Sequence, residues 1–110
     1  MEQYRGNFFS LPNEIFSLGL SPGELAVYCY LRRCESRWTH RCWPSYRTIG
    51  KAVCMSENTV RKYVYQLADR GLIYAEPTQV IDRYGRARNG NLCYTIRPIQ
   101  AVLAQRKDAP

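Results

Sequence analysis

The sequence predicts an α+β fold, mainly α, with a three-helix core followed by a C-terminal β-hairpin. Three observations point to it. Between residues 21 and 71 the apolar residues recur at helical spacing and are bracketed by helix-capping residues. After Gly71 the pattern changes to apolar stretches of strand length on either side of a polar, turn-rich segment. The chain has 110 residues, 45% of them apolar and 23% charged, the size and composition of one packed domain rather than of a disordered chain. The expected organisation is one domain over residues 1–110, with its core at about 11–97, an N-terminal arm at 1–10 and a short C-terminal helix or tail at 98–110.

Each element has a local reason. Leu11-Pro12-Asn13-Glu14-Ile15-Phe16 reads as a short helical turn whose Leu11, Ile15 and Phe16 cover the core. Ser21-Pro22-Gly23-Glu24 predicts a helix start: Ser21 caps, Pro22 fits the first turn, and Glu24 stands three residues past the cap to close a capping box. The helix runs from Pro22 to about Glu35, and its apolar run Leu25 to Leu31 predicts burial along most of its length. Residues 36–44 lack a helical period and end in Pro44, so they form a connection with a short strand near Arg41 to Trp43. Trp38 and Trp43 in this connection are expected to cover the edge of the core rather than to stack on bases.

Ser45 caps a short helix with Ile49, Ala52 and Val53 inward. Ser56 caps the next, Glu57 to Arg70, in which Val60, Val64 and Leu67 recur at i, i+4 and i+7, and Gly71 ends it. Leu72 to Glu76 and Leu92 to Ile96 form the hairpin strands, the second alternating Leu92, Tyr94 and Ile96 against Cys93 and Thr95. Between them Gly85 and Asn89-Gly90 supply turns, and Pro77 marks an edge or a break. Ile99, Val102 and Leu103 indicate a short terminal helix, with residues 107–110 fraying.

Several function classes fall away. The longest apolar run has seven residues, Leu25 to Leu31, against the ~20 that span a bilayer. The N-terminus lacks the basic start and apolar stretch of a signal peptide, so a cytoplasmic location and no membrane partner are expected. The five cysteines are odd in number and form no Cys-x-x-Cys pair, which argues against a disulfide scaffold and for small buried side chains. Cys34, His40 and Cys42 are the one cluster that suggests metal, at spacings unlike a zinc ribbon or finger, so no metal is expected. His40 is the only histidine and no acidic pair accompanies it; no catalytic residue, cofactor or small-molecule ligand is predicted.

What remains is charge and its placement. Sixteen Lys and Arg face nine Asp and Glu, a formal net charge of +7 that makes polyanions the first candidate partners. The helices from Ser45 and from Ser56 are separated by a turn too short for antiparallel packing and suited to the steep crossing of a helix-turn-helix. Gly50 lies where a side chain would obstruct the second helix, and Val60 where an aliphatic one locks the pair. Cys54 stands at the turn position that often needs glycine, at a cost of about 1 kcal/mol if its φ is positive.

Helix, helix-turn-helix and basic hairpin, over about residues 21–97, resemble the winged-helix family of DNA-binding domains. The runs Cys42-Trp43-Pro44-Ser45, Thr48-Ile49-Gly50, Met55-Ser56-Glu57-Asn58-Thr59-Val60-Arg61-Lys62 and Gly71-Leu72-Ile73, with Leu67, are similar to those of small regulators and replisome organisers from bacterial phages and mobile elements. The resemblance implies a second helix in the major groove of double-stranded DNA, assisted by a wing. It further implies a role in transcriptional regulation or replication initiation.

The residues themselves give the same picture. With Val60, Val64 and Leu67 inward, Asn58, Arg61, Lys62 and Tyr65 face outward. Asn58 can pair with adenine and Arg61 with guanine, while Thr59 and Lys62 suit phosphates. Ser45 and Ser56 head helix N-termini whose free N–H groups accept phosphate, and Arg47 adds charge beside the first. Arg83, Arg86 and Arg88 put charge at the hairpin tip. Glu57 is discordant, since it repels phosphate, though it can accept from cytosine N4.

The plainer reading of both surfaces is a solvated helix face and a soluble turn. A protein-interaction module with an acidic partner is the alternative from another class, and a metal- or thiol-responsive switch at Cys34, His40 and Cys42 ranks below it. A regulator commonly binds a palindrome as a homodimer. The candidate seams are the N-terminal segment and residues 98–106, where Ile99, Val102 and Leu103 could equally pack on their own domain.

Overall fold

The structure, a computed structural model, describes residues 7–108, and side chains as far as 104. A 3-10 turn at Asn13–Ser17 leads to helix α1, Pro22–Cys34; a two-residue strand β1, Arg41–Cys42, precedes helices α2, Tyr46–Val53, and α3, Glu57–Asp69. Four strands follow, β2 at Ile73–Glu76, β3 at Gln79–Ile81, β4 at Ala87–Asn89 and β5 at Cys93–Ile96, and helix α4, Ile99–Asp108, closes the chain. The α+β class, mainly α, and the three-helix core with a C-terminal wing stand as the sequence predicts. Among the described residues no helix is long and apolar enough to cross a membrane.

The helix ends are chemically specified. Ser21 Oγ accepts from the Glu24 N–H at 3.2 Å, and Glu24 Oε1 accepts from the Ser21 N–H at 3.0 Å, completing the capping box at the start of α1. At the end of α3 the Gly71 N–H donates to the Ala68 carbonyl at 3.0 Å and the Leu72 N–H to the Leu67 carbonyl at 3.1 Å. Gly71 has φ +79°. These are the paired bonds of a Schellman cap, and its usual apolar contact is supplied by Leu67 and Leu72, both buried.

One core joins all layers. Ile15 and Leu18 of the N-terminal turn, Val27, Tyr28 and Leu31 of α1, Ile49 of α2 and Val60, Val64 and Leu67 of α3 pack with Leu72, Ile73, Tyr94, Ile96, Ile99 and Val102. Among the described residues Glu24 is the one charged side chain that is buried, at 3% exposure. Its Oε2 meets Arg70 Nε at 2.5 Å, and Arg70 also donates to the Leu18 carbonyl at 3.2 Å, so the start of α1 is tied to the end of α3. Burial pushes the Glu24 carboxyl up, but the Arg70 hydrogen bond, the Ser21 contacts and the Arg70 charge outweigh it and hold the group below its ordinary 4.5.

Several expectations about burial need correction. Phe16 does not cover the core; it is 78% exposed. The segment winds as a 3-10 turn, in which residues three apart share a face, so Ile15 and Leu18 point inward and Phe16 falls between them. Ala52 is exposed, because the inward line of α2 runs through Ile49 and the half-buried Val53, one helical turn apart. Helix α1 buries one stripe, Gly23, Glu24, Val27, Tyr28 and Leu31, while Leu25, Ala26, Cys29 and Tyr30 are half-buried. Trp38 is 86% exposed and Trp43 half exposed, so Trp38 covers no core edge.

The hairpin is larger than the sequence suggests. β2 and β5 pair antiparallel, Ile73 opposite Ile96 and Glu76 opposite Cys93, and β1 adds to the other edge of β5 in the order β1-β5-β2. With a strand on each side, β5 is central, and Cys93 is buried, as expected of a cysteine within an apolar stretch. Beyond the break at Pro77 and Thr78 a second ribbon forms, β3 with β4, pairing Gln79 with Asn89 and Ile81 with Ala87. Asn89 therefore belongs to a strand, not a turn, and the tip is confined to residues 82–86. At the C-terminus Ile99 and Val102 are buried in the domain's own core and Leu103 is half-buried.

Candidate nucleic-acid interface

The crossing of α2 and α3 is fixed by two residues. Cys54, after the last turn of α2, takes the left-handed conformation at φ 59° and ψ 47°, which reverses the chain within one residue. The Met55 N–H then donates to the Gly50 carbonyl at 2.9 Å. A methyl group on Gly50 would collide with the Met55 carbonyl oxygen and reach Val60 Cγ2 at 3.6 Å. Only a glycine at 50 lets the turn and α3 sit this close to α2.

That geometry presents one face of α3. Val60, Val64 and Leu67 are fully buried, and Asn58, Arg61, Lys62 and Tyr65 are exposed on the other side, as their spacing predicts. Thr59 is half-buried, its Oγ1 2.9 Å from Ser56 Oγ, while Ser56 Oγ accepts from the Thr59 N–H at 3.2 Å. Ser45 caps α2 in the same manner, accepting from the Thr48 N–H at 3.0 Å. Arg47 and Lys51 are exposed along α2. Among the described residues no carboxylate lies within ion-pair distance of Arg47, Lys51, Arg61 or Lys62. Glu57 is exposed in the first turn of α3, where it complements the helix dipole.

The wing tip is less simply basic than its composition. Asp82 Oδ1 accepts from the backbone N–H groups of Tyr84 at 2.8 Å and Arg86 at 2.9 Å, closing the turn. Its Oδ2 lies 3.0 Å from Arg88 Nε and 3.6 Å from Arg86 Nε. The backbone bond from Arg86 has the largest effect on the Asp82 carboxyl; burial opposes it, and the Arg88 and Tyr84 bonds add to it, so the group is held below its usual range. Arg83 has no carboxylate partner among the described residues, and its guanidinium carbon sits 5.9 Å from the Tyr84 ring centroid, with that of Arg86 at 5.2 Å. All three wing arginines are exposed, but Arg86 and Arg88 share one counter-charge.

The wing is fastened to the helices at its root. The Gly90 N–H donates to the Thr78 carbonyl at 2.9 Å, and the Thr78 hydroxyl donates to the Asn91 carbonyl. Asn91 Nδ2 donates in turn to the Trp43 carbonyl at 3.1 Å, just ahead of α2. A shallow groove of about 160 Å³ runs between the start of α2 and the wing root, past Ser45, Tyr46, Asn91 and Tyr94.

Sequence reasoning missed Tyr46 in this groove. Its ring centroid is 5.6 Å from the Arg61 guanidinium carbon, a contact across two helices that no linear spacing announces. Burial pushes the Tyr46 phenol up, Tyr65 adds to this, and Arg61 offsets part of it. The Cys34, His40 and Cys42 cluster does not gather. Cys42 is buried with its Sγ 3.7 Å from the Leu31 carbonyl and its thiol pushed up to about 12 by burial, whereas His40 is exposed beside Glu35. Among the described residues no three His, Cys, Asp or Glu side chains are arranged to hold a metal ion.

Comparison with known proteins agrees with this architecture. A possible transcriptional regulator from Methanosarcina mazei Go1 superposes with a TM-score of 0.54 at 18% identity, over 84% of this chain and 75% of that one. BpsR of Bordetella bronchiseptica, whose DNA binding is regulated by 6-hydroxynicotinic acid, gives a TM-score of 0.51 at 23% identity, over 80% of this chain and 53% of its own. At these identities the likeness is one of fold. No curated protein matches by sequence. The profile of the helix-turn-helix domain family matches residues 18–73, the span from Leu18 through both crossing helices to the first wing strand. With its crossing helices and its wing, the chain belongs to the helix-turn-helix domain family, as a winged-helix DNA-binding domain.

Proposed function

We propose that this chain binds double-stranded DNA with sequence preference, reading bases with α3 and holding the backbone with the α2 start and the wing, as a transcriptional regulator. The observation that carries the reading is the exposed face of α3. Asn58 and Arg61 are presented there with Lys62, free of carboxylate partners among the described residues, on a helix held out by the Cys54 turn. Asn and Arg each make two hydrogen bonds to one base edge in the major groove, to adenine and guanine respectively. Thr59, Lys62, Arg47 and the N–H groups behind Ser45 and Ser56 suit phosphates, which set register without reading sequence. Arg83, Arg86 and Arg88 extend the contact toward an adjoining groove. A role in a phage or mobile element, in transcription or replication initiation, is supported by the motif resemblance alone and belongs to the same proposal. So does a homodimer on a palindromic site.

The test is a fluorescence-anisotropy titration with a random duplex pool and matching single strands at two salt concentrations, followed by sequencing of the bound pool. Expected are duplex binding that weakens steeply with salt, by about −0.9 per neutralised phosphate in log K against log salt, and enrichment of one motif. Motif symmetry reports the number of chains bound. No duplex binding at low salt overturns the reading and directs the search to an acidic protein partner.

A further inference from the structure

Arg61, a base-reading candidate on α3, carries a contact to another element. Its guanidinium carbon lies 5.6 Å from the centroid of Tyr46, the first residue of α2. Arg61 itself is exposed, and a long exposed arginine ordinarily samples many rotamers, at an ordering cost when it binds. Tyr46 is different: it is half-buried between the start of α2 and the wing root, in the groove it shares with Asn91, Gly90 and Tyr94. The backbone leading into it is held as well. Ser45 before it caps α2, and Asn91 across the groove bonds the Trp43 carbonyl three residues upstream. A fixed aromatic ring beside a mobile cation limits where the cation goes, because the face of the ring attracts it within about 6 Å. One tyrosine meets only part of a guanidinium that carries five N–H donors, so donors of the planar fork stay available to a base edge.

We propose that Tyr46 is a specificity-determining positioning residue, whose ring holds Arg61 in the orientation that reads a guanine. Tyr46 acts through Arg61 and makes no base contact of its own in this role. Its place beside the wing root also makes it a point where the read-out helix and the wing share a support. The inference rests on the proposed DNA reading and adds to it the means by which one base pair is selected.

The test uses the full chain and two substitutions that both fill the groove. Tyr46→Phe keeps the ring, and Tyr46→Leu keeps an apolar side chain without it. Each is compared with Arg61→Ala and with the Tyr46→Leu, Arg61→Ala double variant on the selected duplex, on duplexes changed one base pair at a time, and on random duplex. Thermal melts establish that each variant folds. Expected is that Tyr46→Phe retains the preference, whereas Tyr46→Leu lowers it about three- to five-fold at a single guanine pair, the pair whose preference Arg61→Ala abolishes. Affinity for random duplex and the salt slope should stay near those of the unaltered chain. In the double variant the loss at that pair should be no larger than with Arg61→Ala alone.

Independent, additive losses overturn the proposal, as does an equal loss on selected and random duplex. So does a Leu variant that discriminates as well as the Phe variant. If the unaltered chain selects no motif, both the DNA reading and the role of Tyr46 fall. If it selects one and the Leu variant behaves like the parent, only the role of Tyr46 falls.

Discussion

At the scale of single residues, the helix-turn-helix depends on two backbone requirements, one met by the expected residue and one not. Gly50 meets the close approach of the Met55 carbonyl. Cys54 meets the left-handed turn at φ 59° against the steric preference of an L side chain. Its side chain is exposed, so nothing is lost in packing by removing it. Relief of about 1–2 kcal/mol of strain is offset in part by the greater entropy of an unfolded glycine, so Cys54→Gly should stabilise by about 0.5–1 kcal/mol. A thermal melt should show a midpoint a few degrees higher; an unchanged or lower midpoint contradicts the strain. Arg61→Ala should cost about 1–3 kcal/mol on the selected duplex and relax the base preference at one position. Equal losses on selected and random DNA in a competition titration would remove Arg61 from the base-reading set.

At the scale of elements, two ionic contacts do different work. The Glu24–Arg70 pair ties the start of α1 to the end of α3, beside the capping box and the Schellman cap. Because the folded Glu24 carboxyl is held below its ordinary 4.5, the stabilisation is fully present above that value and is lost as the pH falls through the lower, folded one. Urea midpoints between pH 6 and 3 should therefore fall less steeply for Glu24→Gln than for the parent, and parallel curves would refute the linkage. In the wing, Asp82 closes the turn through Oδ1 and restrains Arg86 and Arg88 through Oδ2. Asn at 82 can keep the first function and lose the second. Asp82→Asn should raise affinity for random duplex and steepen the salt slope by about one. A slope that stays the same would mean the wing arginines do not meet phosphate.

At the scale of the whole molecule, α4 decides how the C-terminus is used. The spacing of Ile99, Val102 and Leu103 fits a seam between two copies as well as a cover for one core. The fold buries Ile99 and Val102 against the domain's own core, so the face that would meet a second copy through those two residues is already occupied. Ile99→Ala should cost about 2 kcal/mol or more of folding stability through the cavity it leaves, and by the same amount at every protein concentration in urea denaturation. A loss that grows on dilution would return these residues to an intermolecular seam.

The sequence by itself determined the parts of this protein whose physics is local. Ser21 with Glu24, Ser45, Ser56 and Gly71 specify helix ends through bonds within one turn of chain, and Val60, Val64 and Leu67 specify which face of α3 is hidden. The outward set Asn58, Arg61, Lys62 and Tyr65 follows from that face by geometry. Cys54 and Gly50 were legible for the same reason, since a tight turn constrains its own residues. Only the tertiary structure decided the rest. The connection after α1 supplies β1, which joins the far edge of β5, and Ile99 and Val102 turn into the domain's own core. The wing splits into two ribbons with Asp82 at the tip, and Tyr46 meets Arg61 from another helix. Each of these depends on which residues distant in the chain become neighbours, and spacing along a chain carries no record of that.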